Sequence, residues 1–172
     1  RPINVQKSVP LTVKSHNAAF LLRLFAIQHD CGHGAFFPNR TFSDWIGRVM
    51  GVVTLTPYDV WRRTHSVHHS ATGNLDKRGM GDVHTLTVAE YRALGPFQRL
   101  VYRLYRNPLV LFGLGPSYLF LLQNRVPLGL MDSAKYWVSA MLTNLAIAAA
   151  LLTIWYFGGW QPLLLIFLPT TL

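Results

Sequence analysis

Two short clusters, His29-Asp30-Cys31-Gly32-His33 and His65-Ser66-Val67-His68-His69, hold five of the seven histidines in this sequence. A neutral imidazole is the commonest side-chain metal ligand near neutral pH. In a helix each residue advances by about 100°, so residues three and four apart share a face. His29 and His33 therefore point the same way, one turn apart, and His65, His68 and His69 share a face of a second helix. Two such helices would form half a cage for a pair of metal ions. Imidazole suits Zn, Cu, Fe and Ni alike, so the histidines alone do not name the metal.

Neighbouring residues narrow the chemistry. A zinc protease helix needs Glu directly after its first histidine, and here Asp30 and Ser66 stand there. Cys31 is the only cysteine, which excludes an intrachain disulfide and leaves no pattern for a Cys/His structural zinc site. It falls on the opposite side of its helix from His29 and His33, so it is not read as a ligand. Asp30 is either an acceptor for the second ring nitrogen of a ligating histidine or a solvated polar residue. His16 and His84 lie outside the clusters, and His84 is read as a surface residue. Trp61 and Arg62-Arg63, just before the second cluster, either position its helix or anchor it at a membrane interface.

The elements that must carry these residues are apolar overall. Hydrophobic residues make up 51% and charged residues 13%, against about a quarter charged in soluble domains. Residues 1–106 hold 14 Lys/Arg and 6 Asp/Glu, whereas Trp137 to Leu172 has no charged residue. The net charge of +9 is scattered rather than concentrated on one element, so no nucleic-acid partner is expected. A basic body beside an uncharged tail reads as a membrane protein with its basic side in the cytoplasm. The expected fold class is all-α: integral membrane helices with a cytoplasmic, histidine-rich helical cap.

In order, residues 1–17 form an atypical end, too polar for a span, and 18–106 form the histidine region. Ala18 to Ile27 is apolar for ten residues, about half a span, and leads straight into the first cluster, where Gly32 and Gly34 loosen the helix. A loop over 36–40 follows, with Ser43 or Asp44 as the cap of a second helix. On that helix Trp45, Ile46, Val49, Met50 and Val53 recur at helical spacing. Thr56-Pro57 ends it, and Tyr58 to Ser70 carries the second cluster. Ala71 to Thr85 is a surface loop. Val88 to Arg106 reads as one helix whose Arg92, Arg99, Arg103 and Arg106 suit anionic headgroups.

Residues 107–124 are uncharged but broken by Pro108, Gly113, Gly115 and Pro116. Residues 137–157 are long enough to span, with Trp137, Trp155 and Tyr156 as anchors. Gly158-Gly159 makes a turn, and 160–172 starts a second, truncated span, so 137–172 reads as a transmembrane hairpin. The positive-inside rule places the 125–136 loop, with Arg125 and Lys135, in the cytoplasm. The histidine clusters share that side only if 107–124 is interfacial or re-entrant. The Asn39-Arg40-Thr41 sequon then also faces the cytoplasm and stays unused.

The runs Gln28-His29-Asp30-Cys31-Gly32-His33-Gly34 and Trp61-Arg62-Arg63-Thr64-His65-Ser66-Val67-His68-His69-Ser70-Ala71-Thr72-Gly73-Asn74 resemble the membrane-bound fatty acid desaturases, and most of all their acyl-lipid members. The resemblance covers about residues 19–172. It implies two non-haem Fe ions held by three histidine boxes, with His29, His33, His65, His68 and His69 supplying the first two. It also implies O2 as co-substrate, introduction of a cis double bond into a lipid acyl chain, and a ferredoxin or b-type cytochrome as electron donor, for which Trp61 and Arg62-Arg63 are a candidate contact. No histidine follows His84, so the third box is expected beyond Leu172 and this chain by itself is expected to be inactive. A hydroxylase, ketolase or epoxygenase would use the same oxidant. A membrane protein that only binds or transports metal is the alternative of another class, but its ligands should lie inside the spans.

Overall fold

The computed structural model describes residues 11–79 and 83–163, which form helices joined by turns with no strand among them. The first helix, α1, runs Leu11–His33. It crosses the expected boundary at 17/18 without a break and is therefore longer than the apolar run within it. It ends in paired bonds: Gly34 N–H donates to Cys31 O at 3.0 Å and Ala35 N–H to Asp30 O at 2.9 Å. That pattern needs a left-handed residue at Gly34, whose φ is +74°. Gly32, by contrast, stays helical, and its role is to make room for a neighbouring ring.

Helix α2 covers Arg40–Val53, capped by Asn39, whose side chain accepts from Phe42 N–H. The cap thus precedes the expected Ser43 or Asp44. Ser43 is buried, and Asp44 points at the next helix. The face α2 turns inward is Ser43, Gly47 and Gly51, while Trp45, Val49 and Val53 are exposed. Small residues face inward because Tyr58 lies against Gly47: a Cβ there would come within 2.2 Å of its ring. Helix α3, Tyr58–Ala71, follows a tight corner in which Leu55 has φ +55°.

Val88 to Arg106 is two helices, α4 (Val88–Ala93) and α5 (Pro96–Tyr105), not the single one expected. Pro96 disfavours helical dihedrals at Gly95, which is extended at φ −68°, ψ 165°. A Thr87/Glu90 capping box restarts the chain for α4. Beyond Pro108 comes a π-helical turn, Val110–Leu114, then α6 (Gly115–Leu121) and a 3₁₀ turn, Gln123–Arg125. The π turn arises where Pro116 has no N–H to give; Gly115 N–H instead bonds Val110 O. Residues 107–124 therefore contain no continuous helix of spanning length.

Helix α7, Ala134–Gly158, is long and apolar enough to cross a membrane, and it is the one such helix among the described residues. Its first half packs on the α2–α3 corner through Ala140, Thr143 and Ile147. Asn144 exchanges hydrogen bonds with Arg125, each 2.8 Å. Arg125 and Asn124 both donate to the Leu55 carbonyl, clamping the corner. The far half of α7 is bare, with Leu152, Trp155, Tyr156 and Phe157 all more than half exposed. Most of the second expected span, 160–172, and the atypical residues 1–10 lie outside the described residues.

Candidate metal centre

The last turns of α1 and the middle of α3 meet at the histidines. His33 Nε2 is 3.2 Å from His29 Nε2 and 3.2 Å from His65 Nε2, and His65 Nε2 is 3.0 Å from His69 Nε2. All four ligand atoms lie within 4.8 Å of one another. Helical spacing accounts for each pair on its own helix, and the contact between His33 and His65 joins the two.

Trp61 fixes that approach. Its indole stacks on the His65 ring at 4.6 Å and 17°, meets Phe25 edge-on at 5.5 Å, and lies 5.9 Å from the His29 ring. A Cβ at Gly32 would come within 2.7 Å of the indole, so the glycine is the space the tryptophan occupies. Of the alternatives for Trp61, positioning of the second cluster's helix matches its contacts.

The electrostatics favour metal over protons. His65 is pushed down to about 4, first by burial and then by His29, His69, His33 and His68. His33 is also lowered, by burial first and then by His29 and His69, with Asp30 pulling the other way. Both are therefore neutral near pH 7, as metal ligands must be. A ring nitrogen carries either one proton or one lone pair, so His33 Nε2 and His65 Nε2, each facing two other ring nitrogens, cannot make two well-directed hydrogen bonds at once. A cation at the point of convergence would satisfy all four lone pairs. His29 Nδ1 lies 3.1 Å from Asp30 Oδ1; an N–H there leaves Nε2 free to ligate. The donor set thus fits a transition-metal ion.

His68 flanks this group instead of joining it, its ring 6.0 Å from that of His65 and 5.6 Å from that of His69. Cys31 is fully buried on the far side of α1, its thiol raised first by burial and then by Asp30 and Asp44. His84 is remote: its N–H donates to Tyr105 Oη and its side chain joins no cluster.

Sequence reasoning missed a polar layer behind the histidines. Asp44 accepts from Tyr58 Oη at 2.8 Å and from Arg62 Nη1 at 3.0 Å on both oxygens. It also pairs with Arg40 Nε at 3.3 Å. Tyr58 is fully buried, and its phenol is raised by that burial and by the bond to Asp44. Fully buried Gln28, beside His29, accepts from Thr54 Oγ1 at 2.6 Å. No spacing rule marks Asp44 or Gln28, because their partners come from other helices. The only sequence hint is the unusual density of charge in Trp61-Arg62-Arg63 beside an apolar body.

A helical scaffold that converges four histidines from two helices presents a donor set that could hold a metal ion. The profile of the fatty acid desaturase family matches residues 13–172, and the chain belongs to that family. A fatty acid desaturase of Bacillus subtilis (strain 168) is 46% identical over 149 residues, covering 87% of this chain and 42% of that protein. The sn-1 acyl-lipid omega-3 desaturase (ferredoxin) of Synechocystis sp. is 38% identical over 99 residues, 56% of this chain and 25% of its own. The sn-1 oleoyl-lipid 12-desaturase of Arthrospira platensis is 31% identical over 87 residues, 51% of this chain and 24% of its own. The chain thus spans less than half the length of these relatives. No solved structure matches it.

Proposed function

We propose that this chain supplies the first two ligand clusters of an O2-dependent acyl desaturase that introduces a cis double bond into the acyl chain of a membrane lipid. The observation that carries the proposal is the convergence of His29, His33, His65 and His69 in a member of this family. These four, with His68 beside them, are the residues that would hold iron. A non-haem di-iron centre supplies an oxidant able to break an unactivated C–H bond, which side chains cannot provide. Four ring nitrogens within one ligand sphere suit one ion, so a second iron needs ligands from elsewhere in the whole protein. What this chain contributes is neutral imidazoles, a stacked indole that holds His65, and Asp30 as acceptor for His29.

Lipid as substrate and ferredoxin as electron donor are supported by the names of the cyanobacterial relatives. Membrane residence is supported by α7 and by an inverted burial pattern. The fully or nearly buried side chains include Gln28, Ser43, Thr54, Thr56 and Thr143, whereas Phe20, Leu22, Trp45, Phe97, Leu109 and Phe112 are exposed. In this reading 134–158 spans, and 107–124 lies at or dips into the cytoplasmic interface. The histidine region, 18–106, then caps the membrane from the cytoplasm.

Mass spectrometry of lipids from a host expressing the full-length protein tests the activity. A new cis double bond that is lost with His65→Ala is expected. A hydroxylated or keto product would favour the related oxidations, and unaltered lipids in the presence of folded, iron-loaded protein would refute acyl oxidation.

A further inference from the structure

Asp44 is linked to both helices that carry the histidines. Toward α3, its two oxygens take Arg62 Nη1 at 3.0 Å each and its Oδ1 takes the Tyr58 hydroxyl at 2.8 Å. Toward α1, it pairs with Arg40 at 3.3 Å, and Arg40 Nη2 donates to the Gly32 carbonyl at 3.0 Å. Gly32 immediately precedes His33, and Arg62 stands one turn before His65. The carboxylate is mostly buried, with 17% of its side chain exposed. Both lines of contact from this one carboxylate therefore end within a turn of a clustered histidine, one on each helix.

A second ion pair between α2 and α3 provides contrast. Arg48 grips Asp59 through two bonds of 3.0 and 3.1 Å, and Ser139 of α7 adds a third contact at 3.2 Å. This pair joins the helices at the first turn of α3 and has no line of contact to α1 through Arg48. It is as well formed as the Asp44 network but sits away from the histidines.

We propose that Asp44 is a positioning residue for the metal centre: through Arg62 and Arg40 it sets the spacing of the His65/His69 pair against the His29/His33 pair. The inference rests on reading those four histidines as ligands. Metal affinity depends on ligand atoms held to within a few tenths of an ångström. Removing a partner that orients ligands typically costs about 10–100-fold in affinity. Asp44→Asn keeps the shape and an oxygen for Tyr58 but deletes the charge that Arg40 and Arg62 share. Arg40→Lys keeps the charge beside Asp44 but has no fork to reach the Gly32 carbonyl at the same time.

The test is a Co2+ titration of the metal-free full chain in detergent, read by d–d absorption, with thermal melts of the same samples. Asp44→Asn is expected to weaken Co2+ binding at least about tenfold and to change the band shape, and Arg40→Lys to weaken it severalfold with little change in melting. The control Arg48→Met should lower the melting temperature and leave Co2+ affinity within about twofold of wild type. Arg40→Lys carries the test if Asp44→Asn does not fold. Wild-type affinity in Arg40→Lys and in any folded Asp44→Asn would overturn the positioning role, as would equal weakening by Arg48→Met. Absence of Co2+ binding by the wild-type chain, or binding undiminished by His65→Ala, would instead overturn the ligand reading and this role with it.

Discussion

Gly32→Ala adds one methyl group at the point where α1 and α3 come closest to the histidines. The added Cβ would stand 2.7 Å from Trp61 Cζ3 and 3.3 Å from Cη2. To restore an ordinary contact of 3.4 Å the indole must retreat by about 0.7 Å. It has little freedom to do so, because His65 is stacked on one face and Phe25 meets it edge-on. Metal–ligand distances tolerate only about 0.2 Å, so the displacement passed to His65 exceeds what the site can absorb. The effect on folding is smaller. Overpacking costs about 1–3 kcal/mol, while alanine gains about 1 kcal/mol over glycine in a helix. The net destabilisation is then about 0–2 kcal/mol. The variant should fold, melt a few degrees lower, and bind Co2+ about 10–100-fold more weakly in a spectroscopic titration. Adding Trp61→Phe, a smaller ring, should recover part of the loss. Wild-type affinity in Gly32→Ala would refute the idea that the indole transmits the packing of α1 to His65.

Other consequences follow from the same contacts. His65 titrates near 4 in the folded chain and His33 is also lowered, against about 6.5 when unfolded. Between those values the unfolded metal-free chain binds more protons, so stability should rise with pH from about 4 to 6.5 and level off above. Melting temperatures across that range check this, and His65→Ala should flatten the rise. Arg125→Met removes donors to the Leu55 carbonyl and to Asn144; chemical denaturation should show a loss of about 2 kcal/mol, and an unchanged midpoint would mean the corner needs no clamp. Ser133→Cys should introduce the only reactive thiol among the described residues, because Cys31 is fully buried with its thiol raised. An impermeant maleimide should label it from the cytoplasmic face, and labelling from the opposite face would overturn the proposed topology.

Much of the site was legible because metal ligation imposes residue type and helical spacing together. The pairs His29/His33 and His65/His69 are each read from one helix, and the structure joins them. His68 shares the same helical face and lies beside the group of four, its ring 6.0 Å from that of His65 and 5.6 Å from that of His69. Among the helices, α7 was readable from its length and lack of charge, and the breaks in 107–124 from Pro108 and Pro116. The split between α4 and α5 was signalled by Gly95-Pro96 and by Thr87 and Glu90 at capping spacing, but the apolar periodicity of Val88 to Arg106 masked it. On α2 Trp45, Val49 and Val53 proved exposed, and Ile46 and Met50 only half-buried. Periodicity finds a face without saying what it meets, and here Gly47 and Gly51 pack because a ring and a backbone carbonyl need their space.

That inversion bears on how a metal centre can sit on so thin a scaffold. The buried apolar side chains among the described residues are few: Cys31, Leu55, Pro57, Tyr58, Ala71, Pro127, Ala140 and Ile147. Hydrophobic burial at that scale specifies the relative placement of helices poorly, because apolar contacts are non-directional. Hydrogen bonds and paired charges are directional, and they cost stability when a partner is lost. The joints of this chain are of that kind: Gln28 with Thr54 between α1 and α2, Asp44 with Arg62 and Tyr58 between α2 and α3, and Arg125 with Asn144 and Leu55 at α7. With its apolar surface turned outward toward the proposed bilayer, the protein uses polar contacts where a soluble enzyme would use its core. The geometry of the four imidazoles should therefore respond more sharply to loss of one buried charge than to trimming an outward-facing Val49 or Leu152.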